Sequence, residues 1–397
     1  MSEPFPKVCF IAPNAYPLLS GRADIPLIGG AELQVVLVAR RLAARGRPVS
    51  MICLDFGQPE VIDADGIRVF RAYAPDEGIP VLRFLWPRLT DVWSSLRQAD
   101  ADIYYQQTAG VLTGIMAAYC KRHGRKSVFA SASNPDLFPD TPRIHYARDR
   151  WIYAYGLRRV DRIFVQNDEQ ARLCREHFGR EPILVPNIYP MPTKAPIKSA
   201  DSVILWVSTI RALKQPDLFL DLVEALPGQQ FRMIGGPGDG ESRLFESIAS
   251  RASKLRNLEF VGFLPFEQVE RHFDSAKIFV NTSSSEGFPN AFLQAWSRAI
   301  PSVSFVDAGA RLDGEVVGVQ VSTLQEMVSA VAKLAADDGL RSTLGERCAA
   351  YVERCHSPDE IVPLYERVFA DLMLDGSRPA AGAFPDGRAR PGTRSQP

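Results

Sequence analysis

Two successive series of apolar strands and amphipathic helices, split by a proline-dense connector, constrain this chain more than any other feature. Residues 7–12, Lys-Val-Cys-Phe-Ile-Ala, lack polar alternation, the pattern of a parallel strand covered on both faces. After a long loop ending at Gly29-Gly30, Leu33, Val36, Leu37, Val38 and Leu42 recur at helical spacing, and Gly46 supplies a stop. Strands are then expected at 49–54, 102–105, 126–130, 162–166 and 183–185, with helices at 111–123, 146–159 and 169–178. Pro182, Pro186, Pro190, Pro192 and Pro196 make a stiff, strand-breaking connector and the best boundary in the chain. The pattern restarts with strands at 203–207, 231–234, 258–261, 278–281 and 302–306. Helices at 217–226, 242–253, 267–275 and 290–298 alternate with them, and there the regular part is expected to end. The fold class is α/β: two units of near-equal size, each a parallel sheet sheathed by helices. Ser357-Pro358-Asp359-Glu360 reads as a capping-box start for one more helix, to about 374.

With 397 residues the chain is long enough for two or three full-sized cores. Lys plus Arg and Asp plus Glu each total 46, so no global charge draws nucleic acid or an acidic membrane, although local patches remain open. The six cysteines are scattered without a C-x-x-C pair, as buried thiols of a reducing compartment would be. The opening apolar run at 8–12 is too short for a signal peptide, and no stretch reaches the ~18 apolar residues of a membrane span. A cytoplasmic location is expected.

Four segments carry candidate chemistry. Ser283-Ser-Ser-Glu286-Gly287-Phe288-Pro289-Asn290 follows a strand end, where open α/β sheets bind ligands, and Gln294 lies about one turn after Asn290. A capped surface helix and an anion-binding helix start both fit it. Arg211-Ala-Leu-Lys214 follows the first strand of the second series. Fixed cations there suit a diphosphate, and a solvated basic turn suits the same spacing. Glycines 235, 236, 238 and 240 do not spell G-x-G-x-x-G, so a dinucleotide site loses support and a plain strand-to-helix turn is favoured. Gly29-Gly30-Ala31-Glu32 reads equally as a helix cap or a phosphate or sugar contact. Neither H-E-x-x-H, G-x-S-x-G nor a P-loop is present, and His123, His145, His177, His272 and His356 lack ligand spacing.

The order Gly29-Gly30-Ala-Glu, Val185-Pro-Asn187, Arg211-x-x-Lys214, Ile234-Gly-Gly236, Phe260-Val-Gly262 and Glu286-Gly-Phe-Pro-x4-Gln294 resembles retaining glycosyltransferases of the GT-B fold. Within them it is similar to the group 1 enzymes of family four, marked by a Glu-x7-Glu motif. The resemblance runs from residue 7 to about 375 and is diffuse in the first half. It implies two Rossmann-like domains facing each other across a cleft. The domains would be 1–190 on the acceptor side and 197–356 binding the nucleotide sugar. A helix over 357–375 is then a candidate to cross back to the first domain, and 376–397 is expected to be a disordered tail.

The resemblance also implies roles. Arg211 and Lys214 would hold the donor diphosphate and stabilise its departure, and Glu286 would bond donor-sugar hydroxyls; these three are the candidate catalytic residues. Gly287, Phe288, Pro289, Asn290 and Ala291 would lie beside sugar and phosphate, Gly235 and Gly262 beside the donor, and Phe263 and Leu264 beside the base. Gly30 would approach the diphosphate from the first domain. Gln294 stands where the family's second Glu bonds ribose hydroxyls, which an amide can also do. No resident metal or cofactor is implied, and UDP- or GDP-sugar is the expected donor.

A family histidine expected after the strand near Phe129 is replaced by Ser131-Ala-Ser133, and His145, past two prolines, reads as a surface residue. The expected activity is transfer of a sugar to an acceptor hydroxyl, in cell-envelope or exopolysaccharide assembly. A nucleotide-sugar epimerase or hydrolase, or a degenerate nucleotide-sugar-binding protein, stays open as an alternative. Phe84, Leu85, Trp86 and Trp93 with Arg83 and Arg88, and the arginine-rich stretch 143–162, would suit a lipid-linked acceptor and a peripheral contact with the inner face of a membrane.

Overall fold

The structure is a computed structural model that describes residues 5–22, 29–75, 77–78, 84–141, 144–192, 202–238 and 240–374. The expected tail at 376–397, together with Arg83, Arg143 and Pro196, lies outside the described residues, as does the side chain of Leu85.

Strands β1 (Val8–Ile11), β2 (Val49–Cys53), β3 (Val61–Ala64), β4 (Ile67–Arg71), β5 (Ile103–Gln107), β6 (Lys126–Ala130), β7 (Arg162–Val165) and β8 (Ile183–Leu184) form one sheet. Their order is β3-β4-β2-β1-β5-β6-β7-β8, parallel throughout except for β3 against β4. The second group is β9 (Val203–Val207), β10 (Phe231–Ile234), β11 (Leu258–Gly262), β12 (Ala276–Asn281), β13 (Ser302–Ser304), β14 (Arg311–Leu312), β15 (Glu315–Val316) and β16 (Val319–Gln320). Here β11-β10-β9-β12-β13-β16 is wholly parallel, and β14 and β15 stand apart as a small antiparallel hairpin.

The central strands of each sheet are buried on both faces, which is why they read as unbroken apolar runs. Val8 and Phe10 enter one core with Leu33 and Val36 of the helix Gly30–Ala44, while Cys9 and Ile11 enter another with Ile115 and Met116. In the second sheet Ile204 and Trp206 pack on one side and Leu205 on the other. The helix Pro358–Leu374 returns from the second unit to the first sheet. There Ile361, Val362, Tyr365, Phe369 and Leu372 enter the core of Val8 and Phe10, each burial worth about 1.5–3 kcal/mol. Glu366 on that helix accepts from Arg45 at 3.0 Å and Arg47 at 2.6 Å.

The hairpin β3–β4 was not expected, although Asp65-Gly66 carries its signal: both have positive φ, 54° and 76°, as a tight antiparallel turn requires. Asp313-Gly314 does the same between β14 and β15, with φ 52° and 86°. Regular structure also continues past residue 306. The helices Leu324–Ala336 and Asp338–His356 follow, started by Thr323 and Asp337, whose side chains accept from the amides of Glu326 and Leu340.

Candidate functional site

The loops that leave β9, β10, β11 and β12 meet at the carboxyl edge of the second sheet. The first three are zipped together by backbone bonds: Gly235 N to Gly262 O at 2.8 Å, Ile210 N to Gly236 O at 2.8 Å, and Gly238 N to Ile210 O at 3.0 Å. A Cβ on Gly235 would lie 1.9 Å from the Ser208 carbonyl oxygen, so this glycine serves the packing of the strand-end loops. A Cβ on Gly238 would lie 2.5 Å from Cγ of Arg211, and the exposed Arg211 side chain therefore lies across the glycine loop. Phe263, 37% exposed, lies against Gly236.

Lys214 ends a short turn, Ala212–Lys214, that is pinned to the loop after β12. The Thr282 hydroxyl donates to the Lys214 carbonyl at 2.7 Å and accepts from the Trp206 indole at 3.0 Å, and Ser284 N donates to Leu213 O at 3.0 Å. The pinning brings Lys214 Nζ to 2.5 Å from Glu286 Oε1, with the two side chains only 18% and 13% exposed. The same oxygen accepts from Ser283 Oγ at 2.6 Å and Asn281 Nδ2 at 3.4 Å. Glu286 is thus held by three donors, from the turn after β9, the end of β12 and the loop that follows it, while Arg211 stays exposed one turn away.

Phe288, Pro289, Asn290 and Ala291 follow in the same loop and open the helix Asn290–Trp296, whose N-cap, Pro289, makes no side-chain cap. Asn290 Nδ2 donates to the Gly30 carbonyl at 2.7 Å, so Gly30 meets this loop through its backbone. Gln294 lies on the same helix and is 5% exposed. Its Nε2 donates to Glu270 Oε1 at 2.5 Å, a partner the sequence did not reveal. Glu270 Oε2 in turn accepts from Arg298 Nη2 at 2.9 Å and the Tyr189 hydroxyl at 2.6 Å. Burial, and then the Glu270 carboxylate, push the Tyr189 phenol well above its usual range, so it remains a donor.

His145 is exposed. His356 is 2% exposed, its Nδ1 facing the Asn187 carbonyl at 2.6 Å, and burial pushes its pKa down to about 4. It is therefore neutral and structural. Among the described residues no three His, Cys, Asp or Glu side chains are grouped to hold a metal ion, and no helix is long and apolar enough to cross a membrane.

In the first domain a cavity of about 370 Å³ lies beyond the carboxyl ends of β4, β5 and β6, lined among others by Tyr73, Phe84, Arg88, Val111, Ile115 and Tyr146. The Arg148 guanidinium sits 3.7 Å from the Phe84 ring centre. Trp86, Tyr146 and Trp151 are 61%, 64% and 70% exposed. Trp93 does not join them, because it packs edge-on against Tyr119 with ring centres 5.1 Å apart.

Residues 29–187 match the family model of the glycosyl transferase 4-like domain, and residues 201–337 match that of glycosyl transferases group 1. A D-inositol 3-phosphate glycosyltransferase of Mycobacterium marinum is 26% identical over 253 residues, 58% of this chain and 53% of that protein. The chain thus spans about half the length of that relative. Among solved structures, sucrose-phosphate synthase from Thermosynechococcus elongatus superposes with a TM-score of 0.73 at 17% identity, covering 93% of this chain and 99% of that one. Anabaena Alr3699/HepE, in complex with UDP and glucose, superposes with a TM-score of 0.69 at 15% identity, covering 92% and 100%. Both share the fold.

Proposed function

We propose that this chain, which belongs to the GT-B glycosyltransferases of group 1, transfers a sugar from a UDP- or GDP-sugar to an acceptor hydroxyl with retention of configuration. The observation that carries this reading is the Lys214–Glu286 pair at the carboxyl edge of the second sheet, with Arg211 beside it. Lys214 and Arg211 would take the charge that builds on the departing diphosphate, and Glu286 would orient sugar hydroxyls. The bond from the anomeric carbon to the phosphate oxygen breaks, and the acceptor oxygen bonds that carbon on the same face. The acceptor proton passes to the leaving phosphate. No enzyme nucleophile is called on, so a carboxylate pair of the hydrolase type is not needed.

Gly235, Gly262, Phe263 and Leu264 would border the base and ribose, and Gly287, Phe288, Pro289 and Ala291 the sugar and phosphate. The first-domain cavity supports an acceptor with an apolar portion beside an anionic one, as a lipid-linked sugar has. Exposed Trp86, Tyr146 and Trp151 near Arg148 support a peripheral contact with an anionic membrane at the cytoplasmic face, and a role in cell-envelope glycan assembly. A thermal-shift screen of UDP-, GDP- and ADP-sugars tests the donor, since a ligand at 100 times its Kd adds ~2.7 kcal/mol. Product analysis with donor alone then separates a transferase, which needs an acceptor, from an epimerase or hydrolase. A chain that binds nucleotide yet turns nothing over would be the degenerate binder.

A further inference from the structure

Both polar atoms of the Asn290 carboxamide are engaged, and their partners come from across the cleft. Its Nδ2 donates to the Gly30 carbonyl at 2.7 Å, and its Oδ1 accepts from Gln34 Nε2 at 2.9 Å and Asn187 Nδ2 at 3.1 Å. Gly30 and Gln34 lie on the first long helix of the first domain, and Asn187 lies where the chain leaves that domain. These partners are themselves fixed. Ile188 N donates to Gln34 Oε1 at 2.8 Å while Gln34 Nε2 donates to Ile188 O at 3.0 Å, and Gln166 Nε2 donates to Asn187 Oδ1 at 2.9 Å. Gln34 and Asn187 are only 4% and 6% exposed.

Two glycines make the approach possible, one from each side. A Cβ on Gly30 would lie 2.7 Å from Asn290 Nδ2, and a Cβ on Gly287 would lie 2.7 Å from the Ala132 carbonyl oxygen. A larger residue at Gly287 would press backbone on backbone and push the second domain's loop off the first domain, and one at Gly30 would displace the Asn290 carboxamide from its partners. That loop carries Glu286 at one end and Asn290 at the other.

We propose that Asn290 is a positioning residue: its carboxamide latches the two domains in the closed arrangement and holds Glu286 and Lys214 against the acceptor-side face. The bonds are all between neutral groups, so the latch works at any pH at which the chain folds. Polarity still matters, because only an N–H can face the Gly30 carbonyl. The effect on turnover rests on the transferase reading. The closure itself does not.

The test compares wild type with Asn290→Asp, which keeps the size and reverses one polar atom, and with Gln34→Met, which removes one bond to Asn290 Oδ1 and the two that tie Gln34 to Ile188. Small-angle scattering is recorded without ligand and with UDP or GDP. Both variants should give a larger radius of gyration than wild type, while UDP or GDP still raises their melting temperature, which shows that the nucleotide domain is folded. Release of nucleotide from a donor that wild type consumes should slow by ~10-fold in kcat in both variants, and in Gln34→Met, whose side chain is not among the donor-site residues, donor KM should stay within about threefold, because closure aligns groups without adding donor contacts. Wild-type scattering in both variants overturns the latch. If neither nucleotide stabilises the wild type, the UDP- or GDP-sugar reading fails and the ligand-free scattering still decides the latch.

Discussion

Lys214 Nζ lies 2.5 Å from Glu286 Oε1, across two loops that the Thr282 hydroxyl ties together. The pair is four-fifths buried on both sides, so it is desolvated without being cut off from a bound ligand. Charges in that setting interact more strongly than at an open surface and can respond when a diphosphate arrives. Lys214 is thereby preorganised, and Glu286 is turned by its three donors toward one orientation.

Replacing Lys214 by Ala should lower turnover by about 10²–10³, the usual scale for one preorganised charge stabiliser. Arg211→Ala should act in the same range, through an exposed side chain that lies across Gly238. Folding should change little in the Arg211 variant. The Lys214 variant should lose about 1–3 kcal/mol, because Glu286 stays more than four-fifths buried with only a hydroxyl and an amide for partners. Steady-state kinetics and urea midpoints on both variants check this, and near-wild-type turnover in either would remove that residue from the donor site.

His356 predicts an acid dependence of stability. Burial holds its folded pKa at about 4, below the ~6.5 of an unfolded chain. Above pH 6.5 both states are neutral and the residue contributes nothing. As pH falls from 6.5 to 4 the unfolded state takes up a proton that the folded state refuses, so stability drops by about 3 kcal/mol and then levels off. Urea midpoints between pH 7 and pH 4 should show this slope, and His356→Asn should flatten it. An equal slope in the variant would assign the acid sensitivity elsewhere.

The two sheets were legible because parallel strands buried on both faces leave unbroken apolar runs, and because Gly46, Gly124 and Gly179 end their helices in the sequence as in space. The hairpins at Asp65-Gly66 and Asp313-Gly314 leave only their turn signal, since their strands are short and lie outside the strand–helix rhythm. Lys214 and Glu286 stand out as charged residues after apolar strands. Gln34, Asn187 and Glu270 do not. Gln34 lies 256 residues from Asn290, and its neutral amide on an apolar helix leaves no local pattern. Glu270 reads as one more surface charge until Gln294, 24 residues away, is seen to bond it.

Gln294 and Glu270 give the last prediction. The amide donates to a carboxylate that already takes Arg298 and the Tyr189 hydroxyl, and Arg298 is shared with Asp274 at 2.8 Å. Gln294→Glu would therefore set two carboxylates against each other with one shared cation. One of them should hold its proton, with its folded pKa raised above the unfolded ~4.3. A raised carboxyl pKa leaves stability intact at low pH and removes it as pH rises through that range, so this variant should lose ~1–3 kcal/mol relative to wild type at pH 7 and recover near pH 4. The swap Glu270→Gln with Gln294→Glu restores one amide and one carboxylate and should regain most of that loss. If residue 294 bonds the ribose, the swapped protein should also keep donor binding within about tenfold of wild type, whereas Gln294→Ala should weaken it by roughly 5- to 150-fold. Urea titrations across pH and nucleotide titrations on the four proteins decide both points. A swap no more stable than Gln294→Glu alone would mean that the two side chains are not coupled, and wild-type donor affinity in Gln294→Ala would take the ribose away from this residue.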